Sequence, residues 1–140
     1  YAPANWSYGT STSGSWQQLW SFSYTFPQAS YVIASLSGHW SYGLTNGAAY
    51  FGILLDGAYF GNSSSNYDSY TVGGSGGQGG TYHQYWANVA NWWGVSHTAC
   101  MKVTAGSHTF GAGIWHFNSS YTAYLNGAAI SLVVIPINYL

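Results

Sequence analysis

The sequence predicts an all-β sandwich of two antiparallel sheets, on three observations. Apolar residues recur at a spacing of two rather than 3.6. Turn signals separate the β-rich runs about every 8–12 residues. Glycine, 19 of 140 residues, is scattered through the chain and disfavours helix wherever it falls.

The elements follow in order. Residues 1–20 are Ser- and Gly-rich with isolated Trp6, Trp16 and Trp20, and are expected to form an arm that lies against this subunit or a neighbour. Residues 21–140 form the sandwich domain. Tyr31 to Leu36 is the first clear strand, and Asn46-Gly47 marks a turn. Tyr50 to Leu55 is the next strand, closed by Asp56-Gly57 into Ala58-Tyr59-Phe60. An Asp-Gly pair between apolar runs favours a tight hairpin turn, so Asp56 is expected to be a turn residue rather than a catalytic acid. Gly73 to Gly80 reads as a flexible loop. It has no Lys and no phosphate-cradling pattern. His97 to Thr104 and His108 to Phe117 are strands joined by Ala105-Gly106-Ser107, an arrangement that leaves a contact of His97 with His108 across a hairpin open beside the plainer reading of both as ordinary sheet histidines. Tyr121 to Leu125 is a short strand, ended by a turn at Asn126-Gly127. The last strand, Ala129 to Ile137, is apolar on both faces, with Ile130, Leu132 and Val134 on one and Val133, Ile135 and Ile137 on the other. A strand apolar on both sides must be covered on both sides. One cover is the core; the other is a loop or a second subunit.

Composition narrows the function. The charged side chains are Asp56, Asp68 and Lys102, 2% of the chain against roughly 25% in an ordinary domain. Aromatic residues make up 20%, with eight Trp and fourteen Tyr. One lysine cannot neutralise a row of phosphates, which excludes nucleic acid and anionic membrane surfaces as partners. No apolar run reaches the ~18 residues of a membrane-spanning helix. A single cysteine, Cys100, excludes an internal disulfide and reads as a small buried hydrophobe. The chain opens on Tyr1 and is expected to be a mature or trimmed product. Near-zero net charge favours self-association, so the chain reads as part of a homo-oligomer. With two acids, its stability is expected to be indifferent to pH below about 4.

The stretch Val103-Thr104-Ala105-Gly106-Ser107-His108-Thr109-Phe110, followed by Trp115 and the closing strand Ala129 to Ile137, resembles the end of the jelly-roll domains of phage fibres and other virion surface proteins. Those domains are broadly similar to C1q/TNF-like sandwiches. The Leu55 to Ala58 hairpin fits the same pattern, and the resemblance covers residues 22–137. It implies a jelly-roll-like sandwich and a receptor-binding or capsid-decorating trimer. The chain departs from that family at its N-terminus, which carries no collagen-like or heptad stalk.

Catalysis finds little support in the residues. A glycosidase needs two carboxylates flanking the bond, and Asp56 and Asp68 lie in a turn and a loop. A Ser-His-Asp set passes on residue count alone, but there is no GxSxG elbow. Metal binding is disfavoured, because His108 and His116 lie ~26 Å apart along one strand and there is no Glu. No enzyme, metal or cofactor is expected. Sugar binding suits the composition better: Tyr82, Tyr85, Trp86, Trp92 and Trp93 follow the glycine loop, beside Gln84, Asn88 and Asn91, and form a candidate carbohydrate platform. The competing reading makes these rings core or subunit interface. Asn5, Asn62 and Asn118 stand in glycosylation sequons. Trp16, Trp20, Val133, Ile135 and Ile137 are the candidate interface. The expected role is a structural subunit of an extracellular assembly: first a virion fibre, spike or decoration protein that attaches to a cell-surface glycan or receptor. The alternatives are a cellular filament subunit joined by strand donation and a secreted carbohydrate-binding module.

Overall fold

The computed structural model describes residues 2, 7–10, 14–42, 48–59, 70–72, 81–84, 93–116 and 122–138. These hold ten strands: β1 (Ser7–Thr10), β2 (Gln17–Phe26), β3 (Ser30–Tyr42), β4 (Ala48–Leu55), β5 (Ala58–Tyr59), β6 (Tyr70–Val72), β7 (Thr81–Gln84), β8 (Trp93–Val103), β9 (Gly106–His116) and β10 (Ala123–Pro136). One antiparallel sheet has the order β1-β10-β3-β8-β6, and the other β2-β9-β4-β5, with β7 also on β4. The pairing is nested: β1 with β10, β2 with β9, β3 with β8, β4 with β7. One long ribbon is folded over on itself and its halves alternate between sheets, which is the jelly-roll arrangement of an all-β sandwich.

The core lies between the sheets and follows the period of two. Val32, Ala34 and Leu36 of β3 face Phe51 and Ile53 of β4 and Phe110, Ala112 and Ile114 of β9, all fully buried. Trp40 and Phe51 tie the sheets together, with ring centroids 5.6 Å apart. Each large side chain buried here contributes about 1.5–3 kcal/mol.

The turns explain where the sequence reading succeeds and where it is corrected. Asp56 and Gly57 have φ of 51° and 80° and close the β4–β5 hairpin, as the Asp-Gly pair predicts. Asn126-Gly127 does not end a strand. It is a bulge inside the continuous strand β10, where the register on β3 slips between Asn126 and Ala129 and Gly127 takes φ 53°. The β8–β9 connection is not a hairpin. β8 pairs with β3 in one sheet and β9 with β2 and β4 in the other, so Thr104-Ala105 turns a corner between sheets. His97 therefore does not face His108: it stands opposite Leu36 in the core, 1% exposed. Burial pushes its pKa down to about 4. Cys100 is half-buried rather than buried, opposite Ile33.

Candidate functional site

Among the described residues, two places combine exposure with chemistry. The first is the outer face of β10 and β3. Inward positions of β10 are filled as expected: Ile130 is fully buried, and Leu132 and Val134 pack against the core. The alternate positions point away from it. Val133 is 56% exposed and Ile135 49%, and Tyr31, directly opposite Ile135, is 39% exposed. With Tyr24 they are the exposed large hydrophobic residues among those described. Beside them, opposite Tyr31 on β8, stands Lys102. β1 pairs with β10 only from Ala123 to Asn126, so among the described residues Ala129 to Pro136 has β3 as its sole strand partner.

The second place is a polar cluster at the β4–β5 turn. The left-handed backbone of Asp56 turns its carboxylate toward β9. Thr109 N–H donates to Oδ1 at 2.8 Å, and the Asp56 N–H donates to the Thr109 carbonyl at 2.8 Å. The second carboxylate oxygen lies 2.8 Å from His108 Nδ1, and His108 Nε2 lies 3.2 Å from the Thr104 hydroxyl. The backbone bond from Thr109 is the main cause that holds the Asp56 carboxyl below the usual range; His108 lowers it further, and partial burial opposes both. His108 is 17% exposed and Asp56 52%, so the cluster is open to solvent. No group of three metal-ligating side chains occurs among the described residues.

No family model, no curated protein and no solved structure matches this chain. Geometry alone must therefore carry any functional argument.

The predicted site residues distribute as follows. Of the carbohydrate candidates, Tyr82 lies in β7 opposite Tyr50, and Trp93 opens β8 opposite Trp40, on different sheets. Tyr85, Trp86 and Trp92 lie outside the described residues, as do Asn5, Asn62 and Asn118. Of the interface candidates, Trp20 belongs to this chain's own core, 7% exposed, because β2 pairs with β9 and directs it inward. Trp16 is half-buried over β9, its ring 3.1 Å from where a Cβ on Gly113 would stand. Residues 7–10 and 17–20, assigned to the arm, are strands of this chain's two sheets. Val133 and Ile135 stand exposed; Ile137 is half-buried, its N–H bonded to the Ala29 carbonyl at 2.9 Å. The link between Asp56 and His108 is absent from the sequence reading. Its signal is the nested pairing, which brings the Asp-Gly tip to the start of β9, where Leu55 already faces Phe110.

Proposed function

We propose that this chain is a structural and recognitional subunit of an extracellular homo-oligomer, a virion fibre, spike or decoration protein that attaches to a cell surface. The observation that carries the reading is the outer face of β10. Val133, Ile135 and Tyr31 form an uncovered apolar patch on a chain with three charged side chains. Apolar patches of this kind mark interaction sites, and the absence of like charge removes the usual barrier to self-association. A second copy supplies the outer cover that a two-faced apolar strand requires.

The strand-donation alternative draws support from one detail, the stretch of β10 beyond Asn126 that has a strand on one side only among the described residues. An unguarded edge of this kind accepts an added strand. Native mass spectrometry tests both. The assembly reading expects a discrete oligomer that Val133→Asp converts to a folded monomer. A stable monomer in the unmutated protein refutes it. An oligomer that survives Val133→Asp but is lost when residues 1–6 are removed favours strand donation.

A further inference from the structure

The polar cluster has a directionality that goes beyond the assembly reading and does not depend on it. An ionised carboxylate only accepts hydrogen bonds. Asp56 Oδ2, 2.8 Å from His108 Nδ1, therefore places the ring proton on Nδ1 in the neutral imidazole. That leaves Nε2 with its lone pair, and the Thr104 hydroxyl, 3.2 Å away, becomes the donor. The order is hydroxyl to imidazole to carboxylate, with the carboxylate itself fixed by Thr109 N–H at 2.8 Å. A nucleophile within reach of a base that a third group orients is the arrangement that activates an alcohol for acyl transfer. The N–H of Ala105, next after the hydroxyl, makes no backbone hydrogen bond to the described residues. The amide following a nucleophile is a common donor to the oxyanion.

We propose that Thr104, His108 and Asp56 form an ester-reactive site. Its substrate is a small acyl ester, acetyl-sized, presented on the surface of a larger molecule, since the open cluster gives a long acyl chain no enclosure. Thr104 Oγ attacks the carbonyl carbon while His108 Nε2 takes the hydroxyl proton. The carbon–oxygen bond to the alcohol breaks, and that proton leaves with the alcohol. An acyl ester remains on Thr104. Water then attacks it, giving its proton to Nε2; the acid departs and the proton returns to Thr104 Oγ. Asp56 is a positioning residue throughout, holding the tautomer and stabilising the imidazolium.

The test uses the full chain with p-nitrophenyl acetate, followed by acid quench and peptide mass mapping. The expected result is nitrophenolate release above buffer, an acetyl group on Thr104, and at least a tenfold loss of rate in Thr104→Val and in His108→Gln. Thr104→Ser should retain activity. If His108→Gln fails to fold, the Thr104→Val and Thr104→Ser pair decides alone, because Thr104 is exposed and its truncation leaves the core untouched. Equal rates in the unmutated protein and Thr104→Val mean unassisted imidazole chemistry and overturn the proposal, as does the absence of any rate above buffer.

Discussion

His97 gives the fold a pH dependence whose sign and size follow from its position. It is 1% exposed in β8, flanked on the same face by Val95 and Ala99 and opposite Leu36. Burial holds it neutral until about pH 4, whereas the unfolded side chain takes up its proton near 6.5. Between these values the unfolded chain binds more protons, so stability falls as pH falls. The contribution of neutral His97 is complete above pH 6.5, declines through the interval and levels off below about 4. At about 1.4 kcal/mol for each pH unit, the interval from 6.5 to about 4 amounts to roughly 3 kcal/mol. With about 2.1 cal/mol/K of unfolding entropy per residue, 140 residues give about 0.3 kcal/mol/K, and the loss corresponds to roughly 10 °C in Tm. The assay is a series of thermal melts from pH 7.5 to 3 at one protein concentration, because self-association would also move Tm. His97→Met removes the titration and should flatten the profile by that amount. A His97 ring that titrates near 6.5 by NMR, or a His97→Met profile as steep as the original, refutes the reasoning. The expected indifference to pH below about 4, which follows from the two acids, is compatible with this: the buried base adds its slope between 6.5 and about 4.

Three further outcomes are expected. Gly113→Ala should destabilise by about 1–3 kcal/mol in urea unfolding, because the new Cβ would stand 2.9 Å from Leu54 Cγ and 3.1 Å from Trp16 Cε3; a neutral result would mean that Leu54 and Trp16 shift freely. Asn126→Val should be neutral or stabilising by about 1 kcal/mol, since the Asn126 amide is fully buried and neither of its polar atoms has a partner among the described residues; a loss above about 1 kcal/mol would show that the amide is bonded, for example to water. Asp56→Ala should lower stability at neutral pH, through the lost bonds to Thr109 and His108 and through the left-handed φ of 51°; an unchanged melting curve would show that the hairpin closes without them.

Much of the sandwich is legible in the sequence because the period of two is unbroken where strands pair in the middle of a sheet. β3, β4 and β9 announce themselves by Val, Ile, Leu and Phe on alternate positions. The Asp56-Gly57 turn is legible for a local reason, the φ > 0 demand at both positions. What escapes is non-local. Nothing near Asn126-Gly127 tells a bulge from a turn; the difference is made by β3, which runs past both sides of it. Nothing near Ala105 says that β8 and β9 enter different sheets. Gln17 to Phe26 carries its aromatic residues at a spacing of two, in Trp20, Phe22, Tyr24 and Phe26, yet Ser and Gly on either side obscure its start. The Asp56–His108–Thr104 cluster joins residues from two turns whose proximity only the nested pairing establishes. The outer apolar face of β10, by contrast, was visible directly, because alternation fails there in the one way that cannot be satisfied within a single sheet.

The nested pairing also governs when the chain can fold during synthesis. β10 inserts between β1 and β3, so the sheet that contains the first strand closes only after the last has been made. Gln28 and Ile137, 109 residues apart, share a hydrogen bond at 3.3 Å across that closure. Contacts of such separation make folding slow, and at roughly 5–20 residues per second the ribosome holds the edge of β3 open for seconds. During that interval the hydrogen-bonding edge of β3 that β10 will occupy has no partner, and another nascent copy nearby presents the same vacancy. A chain wired in this order gains from being made where a chaperone is already at hand.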